Sequence, residues 1–255
     1  RRLEDMGLHD TEVIGVTRES THEEWKAAIE YADCIIHLAG VNRSDSDEDF
    51  VYGNVDSTER ICNLVGDGVG APRIFFASST KAVPGSPYGD TKIAAENTLQ
   101  DLAKNHGSSI NICRLPNVYG KWSKPFYNSV VATFCHQIAN SQEVEINNKS
   151  TLLELLYIDD LVDALVCWLE SPEYHIDGHI NRCIDTLSVG SLAERLVEMR
   201  DSRATGVIPS AGFGLDRKLY ATFLSFMPVE SAVTLYHSHT DPRGSFSELF
   251  KLMKP

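Results

Sequence analysis

The sequence predicts an α/β protein, a doubly wound parallel sheet followed by a smaller lobe. Three observations predict it. Short apolar runs alternate with stretches of helical periodicity at the spacing of βαβ units. The runs end in small or polar residues, as buried parallel strands do at their carboxyl edge. The chain has 255 residues, 42% of them hydrophobic and 23% charged, enough for one large α/β domain or one domain with a smaller lobe.

The elements follow in order. Residues 1–8 read as the end of a helix, so a first strand and its turn, about 20 residues at the usual βα length, are expected before them. Residues 12–16 read as a short buried strand, and 17–20 as the loop after it. A helix over 22–32 has Trp25, Ala28 and Ile29 on one face. A second strand over 33–38 ends at Ala39-Gly40. A helix is expected over about 50–64, then a strand over 73–77. A helix runs from Tyr88 to about 105, stopped by His106-Gly107, and a strand over 109–114 follows. After residue 120 the pattern loosens. It gives an amphipathic helix over 127–140, a strand over 143–146, and a helix over 161–170 capped by Asp159 or Asp160. A helix capped by Ser188 runs to about Arg200, and the last helix spans 215–226.

Net charge is −13 with no cluster of Lys and Arg, which argues against a nucleic-acid partner. Cys34, Cys62, Cys113, Cys135, Cys167 and Cys183 are scattered through apolar runs with no Cys-x-x-Cys, as expected of reduced thiols in a cytoplasmic protein. No apolar stretch is long enough to cross a bilayer, and no signal peptide is visible, so no membrane partner is expected.

The chemistry gathers at Ser78-Ser79-Thr80 and at Tyr88-Gly89-Asp90-Thr91-Lys92. The run Ile74-Phe75-Phe76-Ala77 delivers the hydroxyls to a strand's carboxyl end. Tyr88 and Lys92 stand four apart at a helix start, so both point into one space. A phenol with a pKa of about 10 is a poor proton donor at neutral pH, and a neighbouring ammonium stabilises its phenolate. A strand-end hydroxyl can hold a substrate carbonyl. In doubly wound sheets ligands bind beyond the carboxyl ends of the strands, where Arg18, Ala39-Gly40, Ser79 and Pro116-Asn117 all fall.

These motifs resemble the extended short-chain dehydrogenase/reductases. Leu38-Ala39-Gly40, Asn54-Val55 and Arg114-Leu115-Pro116-Asn117-Val118-Tyr119-Gly120 add to the likeness, which runs from about residue 12 to 165. It implies a Rossmann-like sheet with a C-terminal substrate lobe, and Ser79, Tyr88 and Lys92 as the catalytic residues, with Ser78 and Thr80 near enough to leave the serine's register open. It implies cofactor contacts from Arg18, Leu38, Ala39, Gly40, Asn54, Tyr88, Lys92 and Pro116. The Gly-x-x-Gly-x-x-Gly turn that cradles a pyrophosphate is absent; Gly66-x-Gly68-x-Gly70 follows a helix and reads as its C-cap and turn. Arg18 after a strand suits a 2′-phosphate, favouring NADP over NAD, although Glu19 follows it.

Lys121 and Lys124 can meet phosphates, and Trp122, Phe126 and Tyr127 can pack on a sugar or base. Asn117, Lys121, Lys124, Tyr127 and Asn128 are the candidate substrate residues. Leu38–Arg43, Gly120-Lys121-Trp122, 127–135 and 155–162 resemble the bacterial capsular-polysaccharide reductases of UDP-N-acetyl-L-fucosamine synthesis. That resemblance implies NADPH-dependent reduction of the C4 ketone of a UDP-2-acetamido-2,6-dideoxy-hexos-4-ulose, and a homodimer. Those proteins also carry a zinc-binding cupin that epimerises at C3. Residues 241–248 have the pattern with which such cupins begin, so zinc belongs to a domain beyond this chain, and His237 and His239 read as linker residues. The expected organisation is a cofactor-binding core over 1–120, a substrate lobe with interleaved core segments over 121–236, and a linker with the start of a cupin over 237–255. A nucleotide-sugar 4-epimerase or dehydratase on the same scaffold is an alternative, as is a non-catalytic dinucleotide-binding protein. The dehydratase loses ground because Thr80-Lys81 stands where an Asp-Glu pair is usual.

Overall fold

A computed structural model describes residues 11–68, 70–205, 207–208, 213–232, 238–247 and 251–252. The expected helix end over 1–8, and His237, lie outside the described residues. The elements begin with α1 His22–Glu30, β1 Cys34–His37, α2 Asp47–Phe50, a π-helical turn Val51–Asp56, α3 Ser57–Gly66, β2 Arg73–Ser79, α4 Pro87–His106 and β3 Ile110–Leu115. They continue with β4 Asn117–Tyr119, α5 Val130–Ala139, β5 Leu152–Tyr157, α6 Ile158–Glu170, α7 Ile176–Arg182, β6 Ile184–Ser188, α8 Val189–Thr205, β7 Val207–Ile208, α9 Gly214–Leu224 and α10 Val229–Ala232. Three short strands follow, β8 Ser238–Asp241, β9 Gly244–Ser247 and β10 Lys251–Leu252. Two compact units emerge, residues 1–116 with 163–179, and 117–162 with 180–255.

The first unit is built on a parallel sheet in the order β1-β2-β3, with Cys34 opposite Arg73 and Ile74 opposite Ile110. Side chains alternate across β2. Ile74 and Phe76 pack with Trp25 and Ile29 of α1, Ile61 and Val65 of α3, and Ala95, Leu99 and Leu102 of α4. Phe75 turns the other way, 6.1 Å from the ring of Trp168. Arg73 lies 4.6 Å over that same indole and donates to the carbonyls of Trp168 and Leu169, while Trp168 Nε1 donates to Asn111. Helices therefore cover both faces, the condition under which a strand can be apolar throughout.

The helix boundaries have local causes. Thr21 and Glu24 close a capping box at α1. Ser86 accepts from Gly89 N at the start of α4, Pro87 takes its first turn, and Gly107 at φ 73° ends it. Gly68 N bonds Val65 O just past α3, so the glycines there close a helix, as expected. The helix expected over 50–64 is present but widens into the π turn at 51–56. One expectation fails in this unit. Residues 12–16 form no strand, and Val13 and Ile14 are 69% and 55% exposed. A strand exists only through its neighbour, and among the described residues none lies beyond β1 to pair with this segment.

The second unit has a mixed sheet, β4-β5-β6, with β4 parallel and β6 antiparallel to β5. Its core joins Tyr119, Leu155 and Tyr157 to Phe134 of α5, Leu192 and Leu196 of α8, and Leu219 and Phe223 of α9. Ser129 caps α5 and Ser188 accepts from Ser191 N at the start of α8. The strand expected over 143–146 is absent. Val144 and Ile146 pack on the core, so the alternation marks a buried face, but no ladder forms. Asp159 and Asp160 are not caps, because α6 begins at Ile158 directly after β5. They sit in its first turn, which favours carboxylates, and pair with Lys121 and Lys218. β8 and β9 form a hairpin closed at Asp241 and Gly244.

Candidate active site

The site is built where β2 runs out. Thr80 N still bonds Leu115 O, then Ala82 N bonds Ser79 O and Lys81 N bonds Ser79 Oγ at 3.1 Å, turning the chain. The following loop lies directly on the first turn of α4. A Cβ on Gly89 would overlap the carbonyl of Val83 and come 2.9 Å from that of Lys81. The missing side chain at 89 is what lets Tyr88 and Lys92 start their helix beside the strand end.

Lys92 is 5% exposed, and its Nζ donates to Ala77 O at 3.1 Å and sits 4.7 Å over the ring of Phe76. Burial brings its pKa down to about 8, with the charge of Glu96 working the other way. Tyr88 is half-buried and meets Phe50 edge to face at 6.1 Å. Asn54, placed by the π turn, accepts from Val41 N at 2.9 Å and donates to Val41 O at 3.0 Å and to Thr91 Oγ1 at 3.1 Å. One amide thus joins the loop after β1 to the helix carrying Tyr88 and Lys92. Gly53 has room only for hydrogen, because a Cβ there would overlap Val41. A Cβ on Gly40 would lie 2.7 Å from Asn54 Oδ1 and 3.1 Å from Lys92 Nζ.

Sequence reasoning missed two residues here. His37, at the end of β1, is buried against Thr58 at 2.9 Å and against Phe76. Burial first, and then Lys92, push its pKa down to about 4, so it is neutral beside the ammonium. Glu96 is buried four residues after Lys92 and accepts from Ser78 and Arg114. Its signal was a carboxylate on the core-facing side of a helix.

Among the anticipated cofactor residues, Leu38, Ala39 and Gly40 are exposed at the carboxyl end of β1, and Pro116 is buried directly after β3. Arg18 is exposed, 6.0 Å from the ring of Tyr52, and Glu19 accepts from Thr17. The first unit therefore brings Gly40, Asn54, Lys92 and the end of β2 within contact of one another. A dinucleotide fits these residues. Gly40 is exposed, its missing side chain makes room for Asn54 Oδ1 and Lys92 Nζ, and Lys92 has donors beyond the one used by Ala77. A groove between α1 and α3, lined by His22, Lys26 and Arg60 among others, contains none of these residues.

In the second unit Asn117 donates to Glu154 O at 3.0 Å. Lys121 pairs with Asp159 at 3.5 Å and lies 5.6 Å over Trp122; Lys124 lies 5.4 Å over Tyr127. Asn128 is exposed. Trp122 and Phe126 have left-handed backbone at φ 62° and 57°, held by Ser225 and Thr133 accepting from their amides.

A parallel sheet carrying Tyr-x-x-x-Lys at its carboxyl edge defines a nicotinamide-dependent class of protein. Residues 2–182 match the NAD dependent epimerase/dehydratase family, and the chain belongs to it. Over 247 residues it is 41% identical to a UDP-2-acetamido-2,6-beta-L-arabino-hexul-4-ose reductase of Pseudomonas aeruginosa, covering 94% of this chain. The chain spans 64% of the length of that relative. Among solved structures it is similar to the capsular polysaccharide assembling protein CapF from Staphylococcus aureus, at a TM-score of 0.84 and 32% identity, over 98% of this chain and 69% of that one. The UDP-glucuronic acid 4-epimerase from Bacillus cereus in complex with NAD shares the fold, with a TM-score of 0.67 at 16% identity over 88% of this chain and 83% of that one. Among the described residues no helix is long and apolar enough to cross a membrane.

Proposed function

We propose that the chain carries an NADPH-dependent reductase acting on the C4 ketone of a UDP-2-acetamido-2,6-dideoxy-hexos-4-ulose, for capsular or surface polysaccharide synthesis. The observation that carries this is the buried Lys92 ammonium, held against Ala77 O on the strand that ends in Ser79, one helical turn from Tyr88. The likeness to the Pseudomonas aeruginosa reductase supports the substrate class.

In this reading nicotinamide, when bound, supplies hydride to C4. Tyr88 gives its phenolic proton to the C4 oxygen, and Lys92 stabilises the phenolate left behind. The remaining Lys92 donors hold ribose hydroxyls. Ser79 donates to the carbonyl oxygen; the engagement of Ser78 with Glu96 favours Ser79 over it. Asn54 holds the Gly40-Val41 loop against α4. Leu38, Ala39, Gly40 and Pro116 line the nucleotide, and Arg18 selects NADP by meeting the 2′-phosphate. Asn117, Lys121, Lys124, Tyr127 and Asn128 bind the UDP-sugar. Residues 1–120 form the cofactor core, 121–236 the substrate lobe, and 237–255 the linker into a cupin. The protein works in the cytoplasm as a homodimer.

The test is NADPH oxidation by the full-length protein with a UDP-4-keto sugar. Tyr88→Phe lowers kcat by about 10²–10⁴-fold, the usual worth of a positioned acid, with NADPH affinity kept. Epimerisation without net NADPH consumption assigns the 4-epimerase activity instead. NADPH binding without turnover assigns a non-catalytic role. A fully active Tyr88→Phe variant removes Tyr88 from the chemistry.

A further inference from the structure

The first unit holds a buried carboxylate that the steps above do not use. A carboxylate in the interior costs free energy unless its lone pairs are filled and its charge is matched. Both conditions are met at Glu96. Arg114, near the end of β3, donates Nε to Oε1 at 3.0 Å and Nη2 to Oε2 at 2.6 Å, a two-pronged pair. Ser78 donates its hydroxyl to Oε1. One side chain therefore ties the ends of β2 and β3 to α4. The tie enters β2 at the residue before Ser79, and it enters α4 one turn beyond Lys92.

We propose that Glu96 is a positioning residue for the Tyr88–Lys92 pair, clamping the hydroxyl-bearing end of β2 to α4 and serving as the counter-charge of the buried Lys92 ammonium. A clamp alone would not need a charge, since well-packed apolar groups join elements without the cost of desolvation. The burial is also one-sided. The Glu96 side chain is 6% exposed and that of Arg114 is 51%, so the anion is the member held inside with Lys92.

The groups facing Lys92 come from four elements. β1 presents His37, neutral above about pH 4, and the π turn presents the amide of Asn54. β2 presents the Phe76 ring and the Ala77 carbonyl, and α4 carries Tyr88 and Glu96. Glu96 is the anion of that set, and its charge opposes the burial that depresses the Lys92 pKa. Without it the ammonium loses its proton at lower pH.

Glu96→Gln in the full-length protein keeps the shape and an acceptor for Ser78, and removes the charge. Two readouts follow it, the NMR titration of Lys92 in carbon-labelled protein without substrate, and the pH profile of NADPH oxidation. The Lys92 titration moves about one unit toward acid, a tenfold change in its protonation equilibrium at fixed pH. The alkaline limb of kcat moves with it, so the deficit is small near pH 6, where the ammonium is formed in both proteins, and grows as pH rises. Glu96→Asp restores the titration. Ser78→Ala loosens the clamp alone, lowering kcat several-fold with the profile unshifted. Should Glu96→Gln not fold, Arg114→Gln changes the half-exposed partner and moves the Lys92 titration upward, because the Glu96 charge is no longer shared with a guanidinium. An unmoved Lys92 titration, or a rate deficit equal at every pH, overturns the proposal. The titration is read without substrate, so inactivity of the wild-type protein toward UDP-4-keto sugars sinks the reductase reading alone.

Discussion

Two buried lysines, one in each unit, meet opposite treatment. Lys218 in the second unit has a side chain 13% exposed and lies 2.8 Å from Asp160 and 3.3 Å from Asp185. Burial works against its charge, but the two carboxylates outweigh it, and its pKa stands above the ordinary value. Lys92 in the first unit is buried more deeply, at 5% exposed, and is given a carbonyl, a ring and one carboxylate a helical turn away, and its pKa falls to about 8. Full neutralisation serves a fold. An incompletely neutralised cation is what phenolate chemistry needs, since it keeps charge available for a partner that forms only during reaction. The contrast sets a lysine neutralised by two carboxylates apart from the one proposed to act on a phenolate.

The largest effect that can break this contrast is Lys92→Met. Its kcat falls by about 10²–10⁴-fold if the ammonium acts as proposed. The same change makes the protein more stable at neutral pH, by up to about 3 kcal/mol, because a pKa depressed from 10.5 to about 8 is a cost carried by the folded state. The sign is definite. Between pH 8 and 10.5 the unfolded chain binds the extra proton, so this cost shrinks as pH rises. The stability gain of Lys92→Met in urea denaturation must therefore fade toward pH 10.5, and a loss of stability instead would break the comparison.

His37 sharpens it next. Its pKa is lowered from 6.5 to about 4, so its contribution is complete above pH 6.5 and is lost as pH falls toward 4. Acid titration of stability should show a loss of up to about 3 kcal/mol in that window, absent in His37→Gln. The smallest effect belongs to Lys218→Met. It leaves Asp160 and Asp185 without their shared cation, and costs about 1–3 kcal/mol of unfolding free energy, less than a fully buried pair because all three side chains retain some exposure. A neutral outcome would mean that the lysine is not structural.

Much of this was legible in the sequence, and the rest failed for a common reason. Features set by residues near in sequence came through. His106-Gly107 marks the end of α4, and the four-residue spacing of Tyr88 and Lys92 announces a shared face. Features that need a distant partner did not. Residues 12–16 and 143–146 have strand-like patterns, but a ladder requires a neighbour that periodicity cannot name. Glu96 meets Ser78 across 18 residues, and nothing in a helix face foretells that hydroxyl. The neutral state of His37 likewise depends on burial against Thr58 and Phe76, and then on Lys92, all far along the chain.

The π turn at 51–56 has a consequence for how this chain can change over time. An α-helix advances about 100° per residue, so removing one residue from the turn would rewind everything beyond it by that angle. Ile61, Cys62 and Val65 would swing off the core while Phe50, upstream, kept its place beside Tyr88. A single deletion in the wide turn would therefore sever two alignments at once. The extra residue is a ratchet, simple to acquire by insertion and very hard to give back.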